Sequence, residues 1–148
     1  MGLVLQQTKV GLQSLKSNLK GDEVVTYKLT IKKAAVLGAG VMGAQIAAHL
    51  ASAGIETRLY DLSSGDKDPN SIAKGALKAL KKLKPSPLTL EEEADLIIPS
   101  NYETDLNSLK ACDFIIEAIS ERFEWKRELY QKIAPYLHEK AVLASNTS

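Results

Sequence analysis

The sequence has little of several features that mark specialised classes of protein. One cysteine, Cys112, stands among 148 residues, which excludes a disulfide framework and a zinc site built on cysteines. No apolar run approaches the ~20 residues that a membrane-spanning helix needs, and residues 3–5 are too short an apolar stretch for a signal peptide. Neither charge dominates, since 19 Lys and Arg stand against 18 Asp and Glu, so no overall field attracts nucleic acid or a membrane surface. We expect a cytoplasmic chain without nucleic-acid, membrane or metal partners.

Apolar residues are plentiful by contrast, at 45% of the chain, and they support one packed domain. Short apolar runs typical of buried strands alternate with amphipathic segments typical of helices. The predicted strands cover residues 34–37, 57–60, 97–98, 114–116 and 141–144, and the predicted helices cover residues 41–53, 106–110 and 121–137. This alternation predicts an α/β fold with a parallel, doubly wound sheet.

A helical hairpin is predicted between the second and third of these strands. Asp68 followed by Pro69 is typical of a helix start, and apolar residues at helical spacing continue to Leu83. Residues 89–92 match a capping box and predict a second, short helix. In the helix at 121–137 we expect Trp125 on the buried face and Tyr130 on the surface.

The first 30 residues differ from the rest of the chain. Leu12, Leu15 and Leu19 have helical spacing, and basic residues outnumber acidic ones. We expect residues 1–30 to be a leader that is either disordered or folded into a short amphipathic helix, and residues 31–148 to be the folded domain.

The strongest motif is a glycine pattern, GxGxxG, formed by Gly38, Gly40 and Gly43 between a predicted strand and a predicted helix. Gly38 permits a tight turn, Gly40 lets a pyrophosphate approach the backbone, and Gly43 lets the helix pack closely. The start of the helix then offers free N–H groups and a partial positive charge to that pyrophosphate. The pattern therefore predicts a dinucleotide-binding turn.

Asp61 ends the second predicted strand, 18 residues after Gly43. That spacing fits a carboxylate that accepts hydrogen bonds from the hydroxyls of the adenosine ribose. A carboxylate would repel a 2′-phosphate, and residues 62–64 supply no arginine to bind one. The expected cofactor is therefore NAD rather than NADP.

Three segments carry a likeness to a known family: residues 36–47, residues 113–121 with the following Lys126, and residues 143–148. They resemble the cofactor domain of the L-3-hydroxyacyl-CoA dehydrogenases of fatty-acid β-oxidation, which is a Rossmann-type domain. Residues 84–87 of the hairpin are similar to those of bacterial bifunctional proteins that also carry an enoyl-CoA hydratase unit.

The resemblance implies NAD-dependent oxidation of an L-3-hydroxyacyl-CoA to the 3-ketoacyl-CoA. It places Glu121 and Lys126 near the nicotinamide ribose, Asn146 beside the nicotinamide, and Ser148 where a serine hydrogen-bonds the reacting oxygen. The expected catalytic residues are Ser148 and Asn146, and the expected cofactor-binding residues are Gly38, Gly40, Val41, Met42, Gly43, Asp61, Leu62, Glu121, Lys126 and Asn146.

In that family a histidine, oriented by a glutamate, takes the hydroxyl proton, and it lies beyond the segment matched by residues 143–148. We therefore expect the chain to be a piece of a longer, homo-oligomeric enzyme and to lack its helical C-terminal domain. We expect the piece to bind NAD without turnover, and to self-associate through apolar surface that the missing domain would cover.

Four lysines of the hairpin allow two interpretations. Lys78, Lys81, Lys82 and Lys84 can form a solvated helix face, or they can bind the 3′-phosphate of an acyl-CoA as point charges. Two other functions also stay open for the whole chain. One is a non-catalytic domain for nucleotide sensing or protein interaction, and the other is an NAD dehydrogenase of a different 3-hydroxy acid.

Overall fold

The computed structural model describes residues 4–7, 30–65 and 67–146. Six strands lie in these ranges: β1 (Val4–Gln7), β2 (Lys33–Leu37), β3 (Glu56–Asp61), β4 (Ile97–Asn101), β5 (Phe114–Glu117) and β6 (Val142–Ser145). Three α-helices lie there as well: α1 (Val41–Ser52), α2 (Ser71–Lys81) and α3 (Phe123–Ile133). Short 3₁₀ helices occupy Glu91–Leu96, Leu106–Ala111 and Ala134–Tyr136.

The strands form one sheet in the order β1-β6-β5-β2-β3-β4. Strands β2 to β6 are parallel to one another, whereas β1 pairs antiparallel with β6. From β2 the chain adds β3 and β4 on one side and β5 and β6 on the other, so the order reverses between β2 and β5. The predicted α/β fold with a parallel, doubly wound sheet is confirmed.

Two layers of apolar side chains hold the sheet. Residues 34–37 of β2 are fully buried, as expected for a parallel strand covered on both faces. One face packs against α1 and α2, and four alanines of α1 let that helix lie close to the sheet: Ala44, Ala47, Ala48 and Ala51. The other face packs against α3 through Leu129 and Ile133. The turn that follows β2 is therefore fixed by packing on both sides.

The N-terminal prediction needs correction where the structure describes it. Residues 4–7, expected in a leader, form β1 and pair with β6 from Val4 opposite Ser145 to Gln7 opposite Val142. Four residues carry too little pattern for a strand to be predicted from sequence, and what makes them a strand is the edge of β6. The predicted leucine helix at residues 12–19 lies outside the described residues.

The hairpin helices begin later than predicted. Pro69 was expected at the first helical position, but α2 starts at Ser71. Asp68 instead forms a turn, in which its carboxylate accepts a hydrogen bond from the Asn70 N–H (3.2 Å) and pairs with the Lys74 Nζ (2.9 Å). The second helix of the hairpin is present as a 3₁₀ helix, Glu91–Leu96.

The last predicted helix, 121–137, is shorter in the structure. It runs from Phe123 to Ile133 and continues as a 3₁₀ turn, Ala134–Tyr136. Pro135 explains the change, because proline has no N–H to donate to the preceding helical turn. Among the described residues, no helix is both long enough and apolar enough to cross a membrane.

Candidate functional site

The polar residues of interest lie at the carboxyl edge of the sheet. Parallel strands bring their carboxyl ends to one edge, and ligands of such sheets bind where the strand order reverses. Here the glycine turn follows β2, Asp61 ends β3 and Glu117 ends β5, and β3 and β5 are the two neighbours of β2. The glycine turn and Asp61, both predicted to bind a dinucleotide, therefore lie beside the point of reversal.

The three glycines of the turn have three different environments. Gly38 has a φ of +109°, and a Cβ there would also lie 2.8 Å from the Ala118 carbonyl oxygen. A Cβ on Gly43 would overlap the Gly38 carbonyl oxygen. A Cβ on Gly40, by contrast, would meet no atom within 4 Å. Gly38 and Gly43 are thus required by the turn itself, whereas Gly40 leaves open space above it.

Helix α1 begins directly at that open space. Its N-cap is Gly40, which offers no side chain to the helix, and the first helical hydrogen bond joins the Ala44 N–H to the Gly40 carbonyl (2.9 Å). The N–H groups of the first turn have no acceptor within their own helix, so they point to the space above Gly40. Val41 and Met42 keep their side chains exposed, at 77% and 46%, and contribute backbone to this end of the helix. The arrangement fits an anionic group such as a pyrophosphate.

The Asp61 carboxylate accepts two backbone hydrogen bonds, one of which comes from the glycine turn. Its Oδ2 accepts from the Ala39 N–H (2.7 Å) and its Oδ1 from the Leu62 N–H (2.7 Å). Each carboxylate oxygen can accept more than one hydrogen bond, and the side chain is only half-buried. Asp61 is therefore fixed in place with acceptor capacity left for hydroxyl groups.

A cavity of about 480 Å³ opens beside Asp61, on the α3 side of the sheet. Leu62 contributes an exposed apolar wall, and Ala118 and Ile119 contribute another. The complete lining is Gly38, Gly40, Asp61, Leu62, Tyr102, Ala118, Ile119, Ser120, Trp125, Glu128, Leu129 and Lys132. The cavity thus begins at the glycine turn and ends on helix α3.

Trp125 and Tyr130 occupy the opposite environments to those predicted. Trp125 was expected in the core, but it is 50% exposed in the cavity wall with the Arg122 guanidinium 4.5 Å from its ring. Tyr130 was expected on the surface, but its hydroxyl donates to the buried carboxylate of Glu117 (3.2 Å). Trp125 shares a helix face with Leu129 and Ile133, but it lies in the first turn of α3, where that face borders the cavity rather than the core.

Glu117 is a residue that the sequence analysis did not single out. Its carboxylate is fully buried and accepts hydrogen bonds from the Ile119 N–H (2.7 Å), the Ser145 hydroxyl (2.8 Å) and the Tyr130 hydroxyl (3.2 Å). The Lys126 Nζ lies 3.5 Å from the same carboxylate. Burial and the Glu117 charge raise the pKa of Tyr130, so its proton stays available for this bond. The signal was an acid at the end of an otherwise apolar strand, residues 114–117.

The residues predicted for the nicotinamide end are only partly brought together. Lys126 pairs with Glu117, and the Asn146 N–H donates to the Glu117 carbonyl oxygen (2.9 Å). Glu121 lies exposed before α3 and is not in the cavity lining. Ser148 lies outside the described residues, so its predicted role stays a prediction.

A second groove of about 390 Å³ lies on the opposite side of the glycine turn, between α1 and α2. It shares Gly40 with the first cavity, and α2 contributes small side chains to it at Gly75, Ala76 and Ala79. The four predicted lysines are exposed on α2 and on the segment after it, at Lys78, Lys81, Lys82 and Lys84. The groove itself is lined by apolar residues and glycines, and none of the four lysines belongs to its lining.

A family model described as "3-hydroxyacyl-CoA dehydrogenase, NAD binding domain" matches residues 33–148. A trifunctional fatty acid oxidation enzyme (named as putative) from Rickettsia prowazekii is 47% identical over 119 residues, which are 80% of this chain and 16% of that protein. A 3-hydroxyacyl-CoA dehydrogenase (named as probable) from Deinococcus radiodurans is 43% identical over 121 residues, which are 81% of this chain and 35% of that protein.

Among solved structures, 3-hydroxybutyryl-CoA dehydrogenase from Escherichia coli K12 superposes with a TM-score of 0.65 at 33% identity. The match covers 81% of this chain and 25% of that one. The chain therefore spans only about a sixth to a third of the length of the relatives named here.

Proposed function

Because the chain belongs to the 3-hydroxyacyl-CoA dehydrogenase family through its NAD-binding domain, we propose that it serves the oxidation of a 3-hydroxyacyl-CoA to the 3-ketoacyl-CoA. NAD accepts the hydride from C3 of the acyl group in this reaction, while the hydroxyl proton goes to a base. The described residues hold and orient the cofactor. The single observation that carries the proposal is the glycine turn with Asp61 bound to its backbone.

The adenosine half of NAD is proposed to occupy the cavity beside Asp61. Its apolar walls at Leu62 and Ile119 suit a purine ring, and the fixed carboxylate suits the two ribose hydroxyls. A 2′-phosphate would bring negative charge against Asp61, so NADP is disfavoured. The pyrophosphate follows at Gly40, where the first-turn N–H groups of α1 donate.

The nicotinamide half is then proposed to lie above the carboxyl ends of β5 and β6, because a dinucleotide binds across the point where the strand order reverses. Lys126 and Asn146 are both held against Glu117 on that side. Glu121 and Ser148 are retained as proposed contacts on the basis of the family pattern alone. The site of the reacting carbon is thus proposed to lie beside the end of β6.

The acyl-CoA is proposed to approach from the α1–α2 groove. Lys78 lies on α2, and Lys82, which directly follows the last residue of α2, lies one helical turn further on the same side, so the two can bind the 3′-phosphate of CoA together. A cytoplasmic location of the protein and an oligomeric full-length enzyme also stay predictions.

Gly40→Val tests the cofactor site with little risk to the fold. The backbone of Gly40 is extended (φ −72°, ψ −175°), and a Cβ there meets no neighbour. A valine would therefore fill only the space proposed for the pyrophosphate. We expect the affinity for NADH, measured by energy transfer from Trp125, to fall by a factor of 10 or more, about 1.4 kcal/mol or more.

Gly75→Ala is the matched control, because its Cβ also meets open space but lies in the second groove. It should leave the NADH affinity unchanged. Equal NADH affinity in the Gly40→Val variant and the parent chain would reject the proposed cofactor site.

The substrate class is tested by comparing CoA with dephospho-CoA, which lacks the 3′-phosphate. A double variant with Lys78→Glu and Lys82→Glu should lose affinity for CoA and change little toward dephospho-CoA. Equal losses of affinity for CoA and dephospho-CoA would show that the two lysines do not bind the 3′-phosphate. That result would not affect the proposed cofactor site.

A further inference from the structure

The cavity beside Asp61 has a polar end on helix α3. Glu128 and Lys132 both line this cavity, and both residues are exposed. They are four residues apart within α3, so their side chains lie one helical turn apart on the same side of the helix. This end of the cavity therefore presents a carboxylate next to an ammonium group.

Lys132 is held by a partner other than Glu128. Its Nζ pairs with the Oε1 of Glu103 (2.6 Å), in the turn that follows β4. The Glu103 N–H donates to the Oδ1 of Asn101 (2.8 Å), which is fully buried, so the backbone of this turn is fixed. Among the described residues Glu128 forms no ion pair, and its carboxylate keeps its acceptor capacity for a ligand in the cavity.

The adenine ring is the part of the dinucleotide that reaches this polar end. With the pyrophosphate at the glycine turn and the ribose at Asp61, the ring lies further along the cavity, between Leu62 and Ile119. The charged residues that line the cavity beyond Asp61 are Glu128 and Lys132. Adenine carries an amino donor next to a ring nitrogen that accepts hydrogen bonds, so its edge is complementary to a carboxylate beside an ammonium group.

We propose that the Glu128 carboxylate accepts a hydrogen bond from the amino group of the adenine ring and so selects adenine over hypoxanthine. The inference rests on the proposed function, because it takes the cavity beside Asp61 as the adenosine site. Hypoxanthine has a carbonyl oxygen in place of the amino group, and two acceptors that face each other repel and form no hydrogen bond. Glu128 is thus a residue for specificity toward the base, whereas Asp61 binds the ribose.

The test compares NADH with deamino-NADH, in which hypoxanthine replaces adenine and the rest of the molecule is unchanged. The parent chain should bind NADH about three- to tenfold more tightly than deamino-NADH, as expected for one hydrogen bond. Glu128→Gln keeps the shape of the side chain, but its amide can accept from an amino group or donate to a carbonyl oxygen. Its preference for NADH should therefore fall below about twofold, because either base finds a partner.

Glu124→Gln is the matched control, because Glu124 lies one turn before Glu128 on α3 and does not line the cavity. It removes the same charge from the same helix, so it should keep the parent preference for NADH. If Glu128→Gln shows the parent preference, or if the parent binds the two dinucleotides equally, the inference is overturned and the proposed cofactor site stands. If the parent chain binds neither dinucleotide, the proposed function falls as well.

Discussion

Asp61 and Glu117 are the same kind of group in matching places, yet their surroundings are opposite. Each ends a strand next to β2 at the carboxyl edge of the sheet. Asp61 is half-buried and binds two backbone N–H groups of neighbouring segments. Glu117 is fully buried and binds the side chains of Tyr130, Ser145 and Lys126.

The difference shows that the surrounding donors decide the role of a carboxylate at a strand end. Each oxygen of Asp61 accepts one backbone hydrogen bond and can accept another, so this half-buried carboxylate can also receive a ligand. Glu117 has donors from the loop after β5, from α3 and from β6, so its acceptor capacity is used within the protein. We therefore assign Asp61 to cofactor binding and Glu117 to holding three elements together.

Glu117→Ala should have the largest effect on stability. It leaves Lys126 without its partner, at 17% exposure, and two hydroxyls without their acceptor. Removing one member of a buried pair destabilises a protein strongly, so we expect the free energy of unfolding to fall by about 3 kcal/mol. Urea denaturation at neutral pH measures this change in the free energy of unfolding.

Two further variants sharpen that measurement. Glu117→Gln keeps an acceptor oxygen and the shape of the side chain, so its free energy of unfolding should fall by less than that of the alanine variant. Glu91→Ala removes an exposed acid and should change stability by less than about 0.5 kcal/mol. If Glu117→Ala lowers the free energy of unfolding no more than Glu91→Ala does, the buried carboxylate does not hold the loop after β5, α3 and β6 together.

Asp61→Asn should lower stability less than Glu117→Ala and change cofactor choice more, although one of the two backbone N–H groups bound by Asp61 loses its acceptor. The amide has the shape of the carboxylate but no charge, and only one of its two ends accepts hydrogen bonds. We expect NADH affinity to fall by about tenfold or more, since hydrogen bonds to charged groups are worth about 1.5–3 kcal/mol. The NADH-to-NADPH affinity ratio should fall further, because the repulsion of the 2′-phosphate is lost.

Asp95→Asn is the control, since Asp95 is exposed on the 3₁₀ helix before β4. It should leave both affinities unchanged. An Asp61→Asn variant that keeps the parent preference for NADH over NADPH would show that the carboxylate does not select the cofactor.

The comparison also marks what could be predicted from the sequence. The parallel sheet was predictable from the alternation of strands and helices, and the turn was predictable because Gly38, Gly40 and Gly43 stand in a local pattern with fixed spacing. A Cβ on Gly43 would overlap the Gly38 carbonyl oxygen and lie 3.5 Å from the Val36 side chain of β2, which agrees with the predicted close packing of the helix. Asp61 was predictable by its spacing from the same glycines.

Glu117 and β1 were not predictable, because their partners are distant along the chain. The Glu117 carboxylate meets Tyr130 and Ser145, which are 13 and 28 residues away. Strand β1 meets β6 at the other end of the chain. An acid at the end of an apolar strand can be recognised in the sequence. Which groups surround it depends on which face of helix α3 packs against the sheet.

Asp113 extends the comparison to the opposite end of β5 and should give the smallest effect. Its carboxylate accepts hydrogen bonds from the Lys32 N–H (2.9 Å) and the Lys33 N–H (3.1 Å), where β2 begins. These bonds lower the pKa of Asp113 in the folded protein. A lowered pKa means that the stabilisation is fully present above the pKa of the unfolded chain and is lost as the pH falls through the folded pKa.

Asp113→Asn should therefore be less stable than the parent at pH 7, and the deficit should shrink as the pH falls below about 4, the usual pKa of an aspartate. Urea denaturation at pH 7 and at pH 3 measures the deficit, with Asp95→Asn as the exposed control. A deficit of the same size at both pH values would mean that shape rather than charge fixes this end of β5. NADH affinity at pH 7 should not change, because Asp113 lies at the edge of the sheet remote from the cofactor cavity.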